Sequence, residues 1–377
     1  MLPNLVYFEL FKLDAKEVLF LLCPRLQELV STRQFVRNPP HPGVFLNMLH
    51  SLSPNLVILN LQSVLLDNRC LSALCMLTRL EEVLVLDATS EATPVTLDFL
   101  LDMSARHTLR RLRLCGSLKI IPSSKSSINC DPIIFSALKH IELDCDLAMA
   151  AVTSLLYHIT FPVLEEFRIG LYSLVDRSDL QQHWYQFFNT IGNATTKHLK
   201  ELAFTSETED PSLELHLFGL LKLGSFSLTL FTVHGPFLSL GHRDMEAIIG
   251  AWPLLTTLSL PQHHEPLPKI DFSVLIAIAR GLPHLKDLEL SIDANVLPEL
   301  SDIPLLSHGL QSFMARKTLI GDARLFAQSL DRLFPNMKIW YFGEGEEVAS
   351  LLNMLHRVRR DDAMRLTRGH PEGSSTK

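Results

Sequence analysis

The chain has 377 residues, of which 47% are hydrophobic and 20% charged, and its formal net charge at pH 7 is −7. This balance is typical of a folded protein and excludes an intrinsically disordered one. The negative net charge argues against a nucleic-acid partner. No apolar run is as long as a membrane-spanning helix, and no signal peptide is recognisable at the N-terminus. We therefore expect a protein of the cytoplasm, the nucleus or both, without a membrane or nucleic-acid partner.

The six cysteines include no C-x-x-C pair, so they do not match the spacing of a zinc site or a redox motif. In an intracellular protein this predicts reduced thiols rather than disulfides. Cys23 stands where other parts of the chain carry a large apolar residue, and we expect it to be a small core residue.

One apolar pattern recurs along the chain, with its anchors at offsets 0, +3, +6 and +8. It is clearest in WPLLTTLSL, which begins at Trp252, and in LPHLKDLEL, which begins at Leu282. The pattern can be found thirteen times, with a mean period of about 28 residues. The first anchors are Leu2, Cys23, Ser53, Leu77, Arg106, Phe135, Phe161, Thr196, Leu220, Trp252, Leu282, Ser307 and Phe334.

Segments with apolar residues three and four positions apart lie between these units and predict helices. Pro follows the first anchor in seven units and separates each helix from the next strand, because Pro lacks a backbone donor. Asp244, Asp271 and Asp322 are placed to cap three of the helices. The longest loops are expected at Leu118–Pro132 and Thr205–Ser212. The predicted helices are Asp14–Cys23, Val44–Ser51, Asn68–Leu77, Thr96–Arg106, Met149–Ile159, Leu180–Ile191, Asp244–Trp252, Asp271–Leu282 and Asp322–Leu333.

A strand, a loop and a helix in each unit cannot bury an apolar edge alone, so the units must stack. The sequence therefore predicts an α/β leucine-rich-repeat solenoid, a horseshoe of about 12–13 degenerate strand–helix repeats with a parallel inner sheet. We assign residues 1–344 to the solenoid, 345–367 to a C-terminal capping helix and 368–377 to a disordered tail. The helix has one apolar face, formed by Val348, Leu351, Leu352, Leu355 and Val358.

The segment Trp252–Leu290 and the C-terminal FPNMKIWYF–GEGEEVASLLNMLHRVRRDD resemble fungal F-box/leucine-rich-repeat-type proteins. The resemblance implies a substrate-binding repeat region of a ubiquitin-ligase adaptor, in which an F-box docks a Skp-type adaptor protein. The repeats already begin at residue 2 and leave no place for an F-box, so we expect Met1 to be internal to a longer natural product. The alternative is a freestanding scaffold, or a decaying paralogue, without a link to ubiquitin.

Three short motifs resemble catalytic or ligand sites, but each lacks the partners that the chemistry needs. His242–Asp244 matches part of a kinase catalytic loop, although Ile249 stands where Asn is required. Gly343–Gly345 is flanked by glutamates that would repel phosphate, and His263–Glu265 lacks a third metal ligand. We therefore expect no catalytic residue, metal site or cofactor, and a protein that is not an enzyme.

The strand positions at offsets +4, +5 and +7 should point into the concave face of the solenoid and bind a protein partner. Arginines cluster there on one strand and could hold an acidic or phosphorylated peptide. The neighbouring glutamates offer the alternative of cross-strand pairing within the chain. The candidate partner-binding residues are Arg110, Arg111, Arg113, Lys139, His140, Glu165, Glu166 and Arg168.

Overall fold

The computed structural model describes thirteen stretches of the chain, and all structural statements below concern them. They are residues 5–10, 22–31, 42–62, 68–86, 93–116, 118–121, 132–173, 180–205, 223–234, 240–261, 270–316, 318–343 and 345–368. The chain divides into two compact units, the first holding the described residues up to 228 and the second those from 229 onward. No helix in these stretches is long and apolar enough to cross a membrane.

The first unit contains eight parallel strands that follow one another in chain order. They are β1 (Tyr7–Leu10), β2 (Glu28–Ser31), β3 (Ile58–Gln62), β4 (Glu82–Leu86), β6 (Arg111–Gly116), β9 (His140–Ala148), β11 (Glu166–Ser173) and β12 (Glu201–Thr205). Two small parallel pairs accompany them, β5 (Thr93–Thr96) with β7 (Leu118–Ile121) and β8 (Ile133–Ile134) with β10 (Ile159–Thr160). The helices are α1 (Pro42–Leu52), α2 (Asn68–Leu74), α3 (Leu97–Ser104), α4 (Met149–Tyr157) and α5 (Leu180–Ala194).

The second unit repeats the arrangement with five parallel strands in chain order. They are β13 (Leu230–His234), β14 (Thr257–Leu260), β15 (Asp287–Leu290), β17 (Ser312–Met314) and β19 (Ile339–Tyr341), with the small pair β16 (Ile292–Ala294) and β18 (Thr318–Ile320). The helices are α6 (His242–Ala251), α7 (Phe272–Gly281), α8 (Ala323–Leu333) and α9 (Glu346–Arg368), and a short 3-10 helix spans Leu300–Asp302.

Twelve of the thirteen predicted units have their strand in the predicted frame, because the strand begins five residues after the first anchor. Alternate strand residues are buried, as in β3 and β4, so one side of each sheet faces the core and the other faces solvent. Neighbouring helices pack on one another, α1 on α2 and α4 on α5 in the first unit. The predicted α/β leucine-rich-repeat solenoid is therefore confirmed.

Aromatic side chains fill the core at several of the anchors. Phe187 and Phe188 of α5 contact Phe204 of β12, with ring centroids 5.7 and 5.5 Å away. In the second unit the rings of Phe231 and Trp252 lie 4.8 Å apart. Cys23 is buried, as expected, and its thiol donates a hydrogen bond to the carbonyl of Leu5 at 3.4 Å.

The unit assigned to Leu220 is placed in the wrong frame. The strand lies at Leu230–His234, so Gly224 and Ser225 precede it instead of occupying it. The apolar run in this region fits the repeat in two frames, and packing selects the one that buries Leu228, Phe231 and Val233. Residues Leu118–Ile121, expected to begin a loop, form β7 because β5 supplies a parallel partner.

Two of the three predicted helix caps are confirmed. The Asp271 carboxylate accepts a hydrogen bond from the amide of Ser273, and that of Asp322 accepts one from the amide of Leu325, both at 2.9 Å. Asp244 is instead the third residue of α6, and its carboxylate reaches back to the amide of Gly241 at 2.8 Å. A carboxylate in the first turn still satisfies an exposed donor and the helix dipole.

The helix predicted at the C-terminus is present as α9, which packs on α8. Val348 and Leu352 are buried, and Leu351 and Leu355 are partly buried, whereas Val358 is 54% exposed. The apolar face is therefore shorter than expected. Residues 369–377 of the predicted tail, the predicted helix up to residue 21 and the motif His263–Glu265 lie outside the described residues.

Candidate functional site

The candidate residues lie on the solvent side of the first unit's sheet, where parallel pairing aligns equal offsets into rows. Arg111, His140, Glu166 and Glu201 are neighbours across four strands in the row at offset +5. The row at offset +4 lies one residue before the strands, and backbone hydrogen bonds of 2.8 Å link Arg110, Lys139, Glu165 and Lys200 in the same way. Residues far apart in sequence are thereby brought side by side.

On β6, β9, β11 and β12, eleven of the twelve positions at offsets +4, +5 and +7 are charged or histidine, and we call these eleven residues the charged face. Together with Glu81 and Glu82 at the start of β4 they place six Arg or Lys side chains against six Glu, so the charges of these twelve residues cancel. The charged face consists of Arg110, Arg111, Arg113, Lys139, His140, Glu142, Glu165, Glu166, Arg168, Lys200 and Glu201.

Glu165 is the centre of the row at offset +4. Its two carboxylate oxygens accept hydrogen bonds from the ammonium groups of Lys139 and Lys200, both at 2.7 Å. These hydrogen bonds, the one from Lys139 first, lower the pKa of Glu165 to about 2, because they favour the ionised carboxylate. In the same row Arg110 lies 3.6 Å from Glu81.

Glu166 has the equivalent place in the row at offset +5. It contacts Nδ1 of His140 at 2.8 Å and also pairs with Arg168. Arg168 reaches on to Glu201 at 3.2 Å, and Arg111 pairs with Glu82 at 3.3 Å. These ion pairs therefore join side chains on neighbouring strands of the same sheet.

The structure therefore brings all eight candidate residues together and pairs each positive member with a glutamate of this chain. Arg113, the last of them, lies 2.9 Å from Glu142. An acidic peptide would have to replace these glutamates as the partner of the arginines. The pairs remain accessible, since the side chains of Arg110 and Arg111 are 63% and 47% exposed. Whether they bind a peptide stays a prediction.

A second surface, which the sequence analysis did not single out, lies on β1 to β4. Six of its twelve positions at offsets +4, +5 and +7 are apolar although they face solvent, and none is Lys or Arg. Val6 and Tyr7 are 48% and 47% exposed. The signal was available in the sequence, because these offsets predict a surface. We call this set the apolar face: Val6, Tyr7, Val30, Val57, Ile58 and Leu84.

A groove of about 490 Å³ adjoins the apolar face at the amino ends of its strands. Val6 and Val57 of the apolar face line it, together with Arg25, Arg79 and Glu81. Arg79 donates a hydrogen bond to the side-chain oxygen of Asn55. The lining of the groove therefore combines apolar side chains with charged ones of both signs.

The second unit has a partly buried polar cluster on its own sheet. Ser259 donates a hydrogen bond to Glu289 at 2.6 Å and lies 3.5 Å from Nε2 of His234, and Nε of Arg316 donates to Glu289 at 2.9 Å. Burial lowers the pKa of His234, so its imidazole is neutral at pH 7. The proton of Ser259 is directed to Glu289 rather than to the imidazole, an arrangement that links strands and does not activate a nucleophile.

The two short motifs that lie within the described residues have a structural role. His242–Asp244 forms the first turn of α6. Gly343 has a left-handed backbone with φ of 51°, and a Cβ at this position would lie 2.4 Å from the carbonyl oxygen of Arg316. Glycine is needed in this turn for its conformation. No group of three or more metal-binding side chains is assembled within the stretches that the structure describes.

Comparison with protein-family models gives no match, and comparison with curated proteins gives none either. Among solved structures, the chain is similar to an internalin from Listeria monocytogenes. The sequence identity is 13% and the TM-score 0.39, and the alignment covers 92% of this chain and 84% of that chain.

Proposed function

We propose that the protein is a recognition scaffold that binds a partner protein on the solvent side of the first unit's sheet. The observation that carries the proposal is the apolar face, where six apolar side chains stand together on strands whose other side is already packed in the core. Apolar side chains that are grouped on a surface gain free energy when a partner covers them, at about 25 cal/mol per Å² of apolar area.

The charged face belongs to the same proposal as the part that sets specificity. Most of its basic side chains are exposed, and an exposed ion pair is worth about 0–1 kcal/mol, so a partner can exchange such pairs for pairs of its own at little cost. Arg110, Arg111, Arg113, Lys139, His140, Glu165, Glu166 and Arg168 are the residues that we assign to this contact.

The test compares partner capture by the immobilised full chain and by two variants. We expect the double variant Ile58→Asp and Leu84→Asp to lose the proteins that the wild type retains, because buried charges oppose binding. Tyr157→Asp on α4 is the matched control, since Tyr157 is 79% exposed on a helix away from the sheet. Equal capture by wild type and double variant would refute the proposed surface.

The finer proposal is that the partner is a substrate of a cullin–RING ubiquitin ligase in the cytosol or nucleus. Its support is the resemblance of Trp252–Leu290 to fungal F-box/leucine-rich-repeat-type proteins. The measurement is co-purification of a Skp-type adaptor with the protein from its native source. A protein that retains its partner but never a Skp-type adaptor is a freestanding scaffold, which is the alternative function.

A further inference from the structure

We propose that the apolar face binds a basic amphipathic helix of a partner protein. The proposal rests on the recognition function above and adds the chemistry and conformation of the bound segment. Three observations carry it: acidic groups beside the apolar side chains that form no ion pair within the described residues, the spacing of the strands, and the groove at their amino ends.

The acidic groups are Glu9 and Glu28. Glu81 and Glu82, the other carboxylates at these offsets, are neutralised by arginines of the charged face. Glu9 and Glu28 form no ion pair with any side chain in the described stretches. Glu9 accepts a hydrogen bond from the hydroxyl of Tyr7 at 2.8 Å. A partner with Lys or Arg beside its apolar residues therefore complements both features of the surface.

Tyr7 lies between the two carboxylates. In the pairing of β1 with β2 it is opposite Glu28, and it is two residues from Glu9. The hydrogen bond with Glu9, with a further contribution from the charge of Glu28, raises the pKa of Tyr7. The phenol therefore stays neutral and presents an aromatic ring flanked by negative charge, a suitable environment for a Lys or Arg side chain.

The spacing of the strands favours a partner helix that crosses them. Neighbouring strands lie about 4.8 Å apart, so the four strands of the apolar face span about 14 Å. A helix rises about 5.4 Å per turn and can place one side chain over each strand with a mismatch of about 2 Å across the face. An extended segment points side chains to one side every 6.6 Å or so, and its mismatch over the same distance is about 5 Å.

The groove offers a place for one side chain of the helix, because Val6 and Val57 in its lining can contact a large apolar side chain of the partner. The positions of the carboxylates set the direction of the charges. The basic residues of the helix should lie over β1 and β2, where Glu9 and Glu28 are. The apolar residues should lie over β3 and β4, where Ile58 and Leu84 are.

The test uses a designed helical peptide of about five turns, with Leu on one face and Lys on the other, titrated into the full chain. We expect binding that weakens as salt is added, and a loss of about tenfold or more in the double variant Glu9→Lys and Glu28→Lys. Asp361→Lys with Asp362→Lys on α9 is the matched control, because it makes the same change in net charge on exposed residues of the other unit. Circular dichroism checks that all variants are folded.

Three results would overturn the proposal. The first is equal binding of a peptide in which every Lys is replaced by Glu. The second is an equal loss of affinity in the control variant. The third is self-association of the chain that disappears in the Ile58→Asp and Leu84→Asp variant, which would make a second copy the occupant. If the peptide fails but partner capture still depends on Ile58 and Leu84, the recognition function stands and only the helix is wrong.

Discussion

The two halves of the first unit's sheet are alike on the core side and different on the solvent side. Leu59 and Val83 in the first half, and Leu112 and Phe167 in the second, are all fully buried. On the opposite side, β1 to β4 carry apolar side chains, whereas β6, β9, β11 and β12 carry charged ones. The repeat therefore constrains the positions that pack and leaves the solvent side of each strand open to vary.

The difference matters for binding because the two surfaces respond to a partner in opposite ways. The charged face is already satisfied by its own ion pairs, and covering it exchanges one set of pairs for another. The apolar face gains from being covered, since water is released from its side chains. We infer that the apolar face supplies affinity and the charged face supplies selectivity.

The largest expected effect tests whether the core side of the sheet, and not its solvent side, contributes most of the folding stability. Leu59→Ala and Leu112→Ala remove fully buried side chains and should each lower the free energy of unfolding by about 2–5 kcal/mol. Their neighbours Ile58→Ala and Arg111→Ala should cost less than about 1 kcal/mol. Denaturant unfolding of the four variants measures this. A cost for Ile58→Ala as large as that for Leu59→Ala would place the apolar face in the core.

The next effect concerns Glu166, a carboxylate of the charged face that has two side-chain partners. Glu166→Ala removes the shared partner of His140 and Arg168, and we expect a loss of about 1–2 kcal/mol because the Glu166 side chain is only 20% exposed. Glu28→Ala at the equivalent offset of β2 should have almost no effect. Chemical denaturation of both variants checks the difference, and equal costs would mean that the network adds nothing.

The fold could be predicted from the sequence because its signal is periodic. The offsets 0, +3, +6 and +8 recur where side chains must pack, and twelve of thirteen frames follow from them. The frame at Leu220 was wrong because its apolar run fits twice, and only tertiary packing distinguishes the two fits. The pairing of β5 with β7 was also invisible, since each is short and depends on its neighbour.

The position of the candidate site was predictable, and cross-strand pairing with the glutamates was one of the two expected alternatives, but the individual partners were not predictable. The offsets identified Arg111 and Glu166 as surface residues, and parallel registry brought them together. The geometry that joins Glu166 to His140 and Arg168 depends on side-chain conformations that no spacing reveals. The apolar face was missed for another reason: a search for charges and motifs passes over Val57 and Ile58, although their offset predicts a surface.

A smaller effect on folding stability is expected when the pH is lowered. The pKa of Glu165 in the folded chain, about 2, is below its ordinary value of 4.5, so its contribution to stability is complete above pH 4.5 and is lost as the pH falls toward 2. Screening of the exposed lysines limits the contribution to about 1 kcal/mol. The thermal midpoints of wild type and Glu165→Gln should therefore converge at low pH. In a background of Lys139→Met and Lys200→Met the same change should have no effect, and a persisting difference would assign the shift to another cause.

The smallest expected effect on stability concerns Arg110, at the edge of the ion-pair network of the charged face. Arg110 is 63% exposed and lies 3.6 Å from Glu81, so Arg110→Ala should change the free energy of unfolding by less than about 0.5 kcal/mol. Partner binding should respond more strongly than stability, because an exposed guanidinium contributes to an interface only when a partner desolvates it. Parallel measurements of unfolding and partner affinity on this one variant separate the two contributions. A stability loss larger than the affinity loss would make Arg110 part of the scaffold and would move the boundary of the recognition surface to β9.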